Sequence, residues 1–201
     1  DLLGAGSWSL GQESAGTWDY YTLWLNGLPY GDVQGHWATH YIIQAAQEGW
    51  MTGASPTSFA PERPLTRAEA AVVLCRLLEL KAAPASHPDF ADASGHWARD
   101  YIRTAHYHGL VSGVGEDRFA PDRTLSRQEM AVMLDLALGL GSSVPAKNPF
   151  SDVSRTGNPW SYGAILRLHK AGVVSGYEDG TFRPEEGVRR AELAVMLSGL
   201  D

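Results

Sequence analysis

The sequence predicts an all-α chain of three tandem helix-loop-helix modules. Three observations carry this. Asp32, Asp92 and Asp152 recur at intervals of 60 residues. Each interval holds two stretches with apolar residues at helical spacing. The second stretch always opens on one motif: Leu65-Thr66-Arg67-Ala68-Glu69, Leu125-Ser126-Arg127-Gln128-Glu129 and Val188-Arg189-Arg190-Ala191-Glu192. A fixed period of this kind marks a repeated supersecondary unit.

The register continues through Trp37, Trp97 and Trp160, the last displaced by three residues inserted around 155–158. It then holds through Gly49, Gly109 and Gly172, through Gly53, Gly113 and Gly176, and through Phe59, Phe119 and Phe182. The modules span 30–80, 90–140 and 150–201. Residues 1–29 stand apart, with Trp8, Trp18, Tyr20, Tyr21 and Trp24 among Gly and Ser. They read as the tail of an upstream domain or as a strap packed on the helices.

In each module a first helix is expected to start near the Trp. Its apolar side is Trp37, Tyr41, Ile42, Ala45 and Ala46 in the first copy, with the tryptophans as core anchors that leave one edge free. Gly49, Gly109 and Gly172 fit the left-handed position that ends a helix. A turn-rich loop follows, pinned by the Phe. The second helix starts at Thr66 or Ser126, whose hydroxyl takes an orphan amide while Glu69 or Glu129 reaches back, as in a capping box. In the third copy Arg189 replaces the hydroxyl, a loss of ~1 kcal/mol. The second helices are apolar over a wide arc (Ala70, Ala71, Val73, Leu74, Leu77 and Leu78 in the first), as for helices buried between neighbours. They are expected to pack together as a shared core.

The arginine of the motif is the anomaly. A cation in the first turn faces the positive end of the helix dipole and loses up to ~1 kcal/mol. Repeating it implies an anion, or a buried carboxylate, in front of that helix end. Asp32, Asp92 and Asp152 are candidate internal partners for Arg67, Arg127 and Arg190. Free helix amides beside the arginine would otherwise form an anion site.

Composition limits the function classes. The net charge is −7 and no Lys/Arg run occurs, which argues against nucleic acid. The apolar runs fall short of the ~20 residues a membrane helix needs. With no initiator Met and no signal-peptide pattern, the chain reads as a fragment or processed form. The single cysteine, Cys75, aligns with Asp135 and Ser198 and is expected to be part-exposed, a tolerated thiol rather than a nucleophile. His36 and His96 read as caps of the first helix. The acidic turns at 116–117 and 178–179 lack the ligand count of a calcium loop. No metal, cofactor or enzymatic activity is therefore predicted.

The pattern Phe-x-Asp-Val-x-x-x-Trp, Gly-x-x-x-Gly, Thr-Phe-x-Pro and Thr-Arg-Ala-Glu resembles the S-layer homology module, in three copies over residues 30–201. The resemblance implies a pseudo-threefold spindle around a central three-helix bundle, secreted and held at the bacterial cell surface. It implies non-covalent binding of secondary cell-wall polysaccharide, commonly through pyruvate-ketal sugars, in grooves between modules. By position it assigns Arg67, Arg127 and Arg190 as binding arginines, with Thr66 and Ser126 beside them. Trp37, Trp97, Trp160, Gly53, Gly113 and Gly176 supply neighbouring groove surface. On this reading Arg67→Ala plus Arg127→Ala should fold normally yet fail to sediment with wall material. The alternative is a protein-interaction or self-assembly module of a surface layer, with other surface-layer proteins as partners.

Overall fold

The computed structural model describes residue 27 and residues 29–200, so the reading of the 1–29 stretch falls almost wholly outside the described residues. Six helices follow in order: α1 (Thr39–Gln47), α2 (Arg67–Leu77), α3 (Arg99–Tyr107), α4 (Arg127–Leu138), α5 (Tyr162–Lys170) and α6 (Arg190–Ser198). Among the described residues no strand forms, only isolated bridges. The repeats therefore contribute the pairs α1–α2, α3–α4 and α5–α6.

The first helices begin two residues after their tryptophans. In two repeats a histidine sets this start, because Nδ1 of His36 and of His96 accepts the amides of Ala38 and Ala98 at 3.1 and 3.2 Å. That turn takes the Trp off the helical face. Trp37, Trp97 and Trp160 are 61%, 67% and 56% exposed, so they are not core anchors as the spacing suggested. Tyr41 and Tyr101 are exposed too, and the buried side of α1 is Ala38, Ile42 and Ala45. Gly49, Gly109 and Gly172 end these helices at φ +73°, +73° and +79°, as expected.

No repeat buries its own first helix. The α3 helix packs on α2, α5 on α4, and α1 closes the cycle on α6. One continuous apolar cluster results, with Leu65, Leu125 and Val188 fully buried at the entrances of the second helices. Their backbones form a closed ring. The Leu65 amide donates to the Val188 carbonyl at 2.8 Å, Val188 to Leu125 at 3.0 Å, and Leu125 to Leu65 at 2.9 Å. Burial at these apolar positions and pairing of their amides are thus solved together across three repeats.

The repeated aspartates hold the loops. Asp92 accepts the amides of Phe119 and Ala120, both at 2.8 Å, and Asp152 accepts those of Phe182 and Arg183 at 2.8 and 2.7 Å. Asp32 does the same for Phe59 and Ala60 and adds the Ser58 hydroxyl. The clamp keeps Ala60, Ala120 and Arg183 at φ +57° to +58°, a region L-residues seldom adopt. These aspartates are loop clasps, not the partners of Arg67, Arg127 and Arg190.

A second contact shapes the same loops. A Cβ on Gly113 would lie 2.8 Å from both the Arg118 carbonyl oxygen and the Phe90 ring, and Gly53 and Gly176 are equally hemmed in by Tyr30 and Phe150. Gly113→Ala is expected to cost about 1–3 kcal/mol through overpacking. A thermal melt checks it, with a fall of a few degrees in Tm expected at this chain length. Tyr30, which stands where the other repeats have Phe90 and Phe150, does more than fill space. Its hydroxyl accepts the Gly53 amide at 2.7 Å.

Cys75 is buried, contrary to expectation, because α3 covers it and its Sγ donates to the Tyr101 carbonyl. Burial pushes its thiol up to about 11, so it stays protonated at neutral pH. The aligned Asp135 instead takes a two-pronged bond from Arg167 at 2.7 and 2.5 Å.

Candidate functional site

Each motif arginine crosses to the next repeat. Arg67 donates Nε to the Phe119 carbonyl at 2.8 Å, Nη2 to Ser112 at 2.8 Å, and Nη1 to Glu129 Oε1 at 3.0 Å. Arg127 does likewise to Phe182, Ser175 and Glu192, and Arg190 to Phe59, Thr52 and Glu69. Each guanidinium also lies over the ring of that same Phe, at 4.5 to 4.8 Å. All three side chains are 5–6% exposed. The carboxylate facing each arginine is thus the capping glutamate of its neighbour.

Those glutamates serve two purposes. Glu69 Oε2 and Glu129 Oε2 accept the Thr66 and Ser126 amides, both at 3.0 Å, completing the expected capping boxes. Glu192 accepts the Arg189 amide at 2.8 Å, but Arg189 has no hydroxyl to accept the Glu192 amide in return. Arg189 itself pairs with Glu62 of the first repeat at 2.6 Å. The helix amides are not open to an outside anion. The Arg67 and Ala68 amides donate to the Arg123 and Pro121 carbonyls, those of Arg127 and Gln128 to Glu186 and Pro184, and those of Arg190 and Ala191 to Arg63 and Pro61. The free-amide anion site is therefore ruled out, because neighbouring loop carbonyls consume its donors.

Burial acts to raise the pKa of Glu129. The Ser126 amide and the Arg123 and Arg67 guanidiniums more than reverse this and hold it below the usual carboxylate range. Glu69 is lowered in the same way, burial being outweighed by Arg63, the Thr66 amide and Arg190. Asp32 and Asp92 are lowered too, burial again being outweighed by loop hydrogen bonds, from the Ser58 hydroxyl and two amides at Asp32 and from two amides at Asp92. A depressed carboxylate stabilises the fold above its unfolded value, ~3.9 for Asp and ~4.3 for Glu, and loses that contribution as pH falls through the folded value. The urea midpoint should therefore hold between neutral pH and about 5 and drop below about 4. A midpoint unchanged at pH 3 would contradict these lowered values.

Beside each arginine an open crevice runs between repeats, and each crevice draws on all three. The Arg67 crevice, about 270 Å³, is walled by the Gly109–Val114 loop, by Glu129, Met133 and Leu136 of α4, and by Trp160. The Arg127 crevice, about 370 Å³, has the Val173–Tyr177 loop, Glu192 of α6, Arg183, Arg189 and Trp37. The Arg190 crevice, about 270 Å³, has Trp50, Gly53, Arg63, Glu69, Arg76 and Trp97. The structure thus groups Arg67 with Gly113 and Trp160, Arg127 with Gly176 and Trp37, and Arg190 with Gly53 and Trp97. No crevice gathers the Arg, Gly and Trp of one repeat. Thr66 lines none of the three, and Ser126 faces an adjoining hollow with Arg123 and Trp160.

Sequence reasoning missed Arg63 and Arg123, each of which adds a second guanidinium to a capping glutamate. Their recurrence four residues before Arg67 and Arg127 was a usable signal. Tyr177 has no such signal. It donates its hydroxyl to Glu192 at 2.8 Å and lies under Arg183 at 4.0 Å, which crowds the Arg127 crevice. Among the described residues no group of three or more His, Cys, Asp or Glu is placed to hold a metal ion, and no helix is long and apolar enough to cross a membrane.

A model of the S-layer homology domain matches residues 29–71, 89–131 and 149–194. The chain is 33% identical over 169 residues to "Cell surface glycoprotein 1" of Acetivibrio thermocellus, covering 78% of this chain and 7% of that protein. It is 31% identical over 148 residues to a "Cellulosome-anchoring protein" of the same species, covering 70% and 32%. It is 30% identical over 183 residues to an "Endoglucanase" of a Bacillus species, covering 87% and 19%. The chain thus spans a third or less of the length of these relatives.

Proposed function

The chain belongs to the S-layer homology domain family, and from that premise we propose that it binds secondary cell-wall polysaccharide in the crevices between its repeats. Cell-wall anchoring of surface proteins is what its family and its relatives support. The finer reading concerns the polymer, for which we take an acidic, pyruvylated glycan. One observation carries it: an exposed indole faces an arginine-floored crevice three times over.

An indole held at the rim offers a flat apolar surface to the apolar face of a pyranose. The crevice floor offers positive charge to a ketal carboxylate. Arg67, Arg127 and Arg190 each spend three of five N–H donors on protein acceptors among the described residues, so they border the ligand while fixing the loops around it. Modest affinity per crevice suffices, because several crevices on one polymer raise retention through effective concentration when their spacing fits.

The exposed tryptophans separate binding from folding. Trp37→Ala, Trp97→Ala and Trp160→Ala combined should change stability by only about 0.5 kcal/mol per site. The triple variant should lose sedimentation with purified wall polymer by at least about tenfold, the effect of ~1.4 kcal/mol. Chemical depyruvylation of the polymer should have the same effect on the unaltered chain. Undiminished sedimentation of the triple variant would sink the assignment.

A further inference from the structure

The three crevices differ in what their cations already hold. Among the described residues Arg67 and Arg127 pair with Glu129 and Glu192, while Arg63 and Arg190 share Glu69. Arg183 pairs with Asp179 and Arg189 with Glu62. Arg76 alone of the crevice arginines has no carboxylate among the described residues. It stands on the last turn of α2, half-buried, with its guanidinium 5.9 Å from the Tyr101 ring. Its crevice holds three arginines against one glutamate, whereas the Arg67 crevice holds one of each. The aligned positions in the other repeats are Leu136 and Gly199, so neither of the other two crevices has a counterpart.

We infer that Arg76, with Trp97 across the same crevice, is the residue that grips the carboxylate of the acidic saccharide, and that this makes the Arg190 crevice the principal binding site. The inference rests on the polysaccharide reading above. A planar guanidinium binds a carboxylate through two parallel hydrogen bonds. At the other crevice arginines a ligand carboxylate must compete with one that the protein already supplies. At Arg76 it meets no paired competitor among the described residues, and the indole of Trp97 is 67% exposed beside it to take the sugar face.

The test uses the whole chain and two probes, a methyl glycoside bearing a pyruvate ketal and the methyl ester of that ketal. Calorimetry should show the acid bound and the ester at least about tenfold weaker, as expected when a charge-assisted pair is lost. Arg76→Leu, which copies the residue at Leu136, should keep the wild-type Tm and weaken the acid by a similar factor. Arg76→Lys should fall between the two, since an ammonium keeps the charge but not the fork. If the unaltered chain binds the acid and wall polymer while Arg76→Leu binds the acid just as tightly, the Arg76 assignment fails and the polysaccharide reading stands. If the unaltered chain binds neither probe nor polymer, both fail.

Discussion

Arg67→Ala combined with Arg127→Ala should leave the chain largely unfolded or close to it. Removing one partner of a buried ion pair costs about 3–5 kcal/mol. Here the loss recurs at two separate junctions, against a total stability of about 5–15 kcal/mol for a chain of this kind. Each deletion also strips two loop carbonyls of their donor, Phe119 and Ser112 at Arg67, and Phe182 and Ser175 at Arg127. It uncovers a Phe ring as well. Single variants should melt roughly 10 °C lower, at 2–4 °C per kcal/mol. Differential scanning calorimetry and urea titration read this directly. The structure thus reverses the expectation that the double variant folds normally and only loses binding. A double variant with native Tm would show that the inter-repeat pairs contribute nothing.

Asp92→Ala should be the next most damaging change, at about 3 kcal/mol or more. Two charge-assisted hydrogen bonds, at ~1.5–3 kcal/mol each, disappear from the Phe119 and Ala120 amides. The loop then loses the acceptor that ties down the Phe119 and Ala120 amides and keeps Ala120 at φ +57°. Asp92→Asn should recover part of the loss, because the amide oxygen still accepts but carries no charge. Ala120→Gly in the Asp92→Ala background should return up to ~1 kcal/mol by removing the left-handed strain. Chemical denaturation of the four chains checks the order. Failure of Asn to exceed Ala would mean that the carboxylate is not the clasp.

The family match and the relatives support a cell-surface or cell-wall location, and the two largest effects above concern how the chain stays intact. Both arise at junctions between repeats. The groups proposed for binding, by contrast, are the exposed tryptophans and the half-buried Arg76, whose replacement should not open the fold.

Much of this was legible in sequence because its cause is local. Helix periods, left-handed glycines and capping boxes involve residues a few positions apart, so the repeat, the six helices and the roles of Glu69 and Glu129 follow from spacing. The anomaly of a cation in the first helical turn was also visible, and with it the need for a facing negative charge. Which charge answers it was not. Arg67 reaches Phe119 across 52 residues and Arg190 reaches Phe59 across 131, and no spacing rule joins such positions. Each first helix packs on another repeat, so the burial of Cys75 depends on a neighbour that periodicity within one repeat does not contain. Local geometry is set by bonds between near residues. The partners of the arginines, the composition of the crevices and the isolation of Arg76 are set by the order in which the three repeats close on one another, and only the tertiary structure decides that.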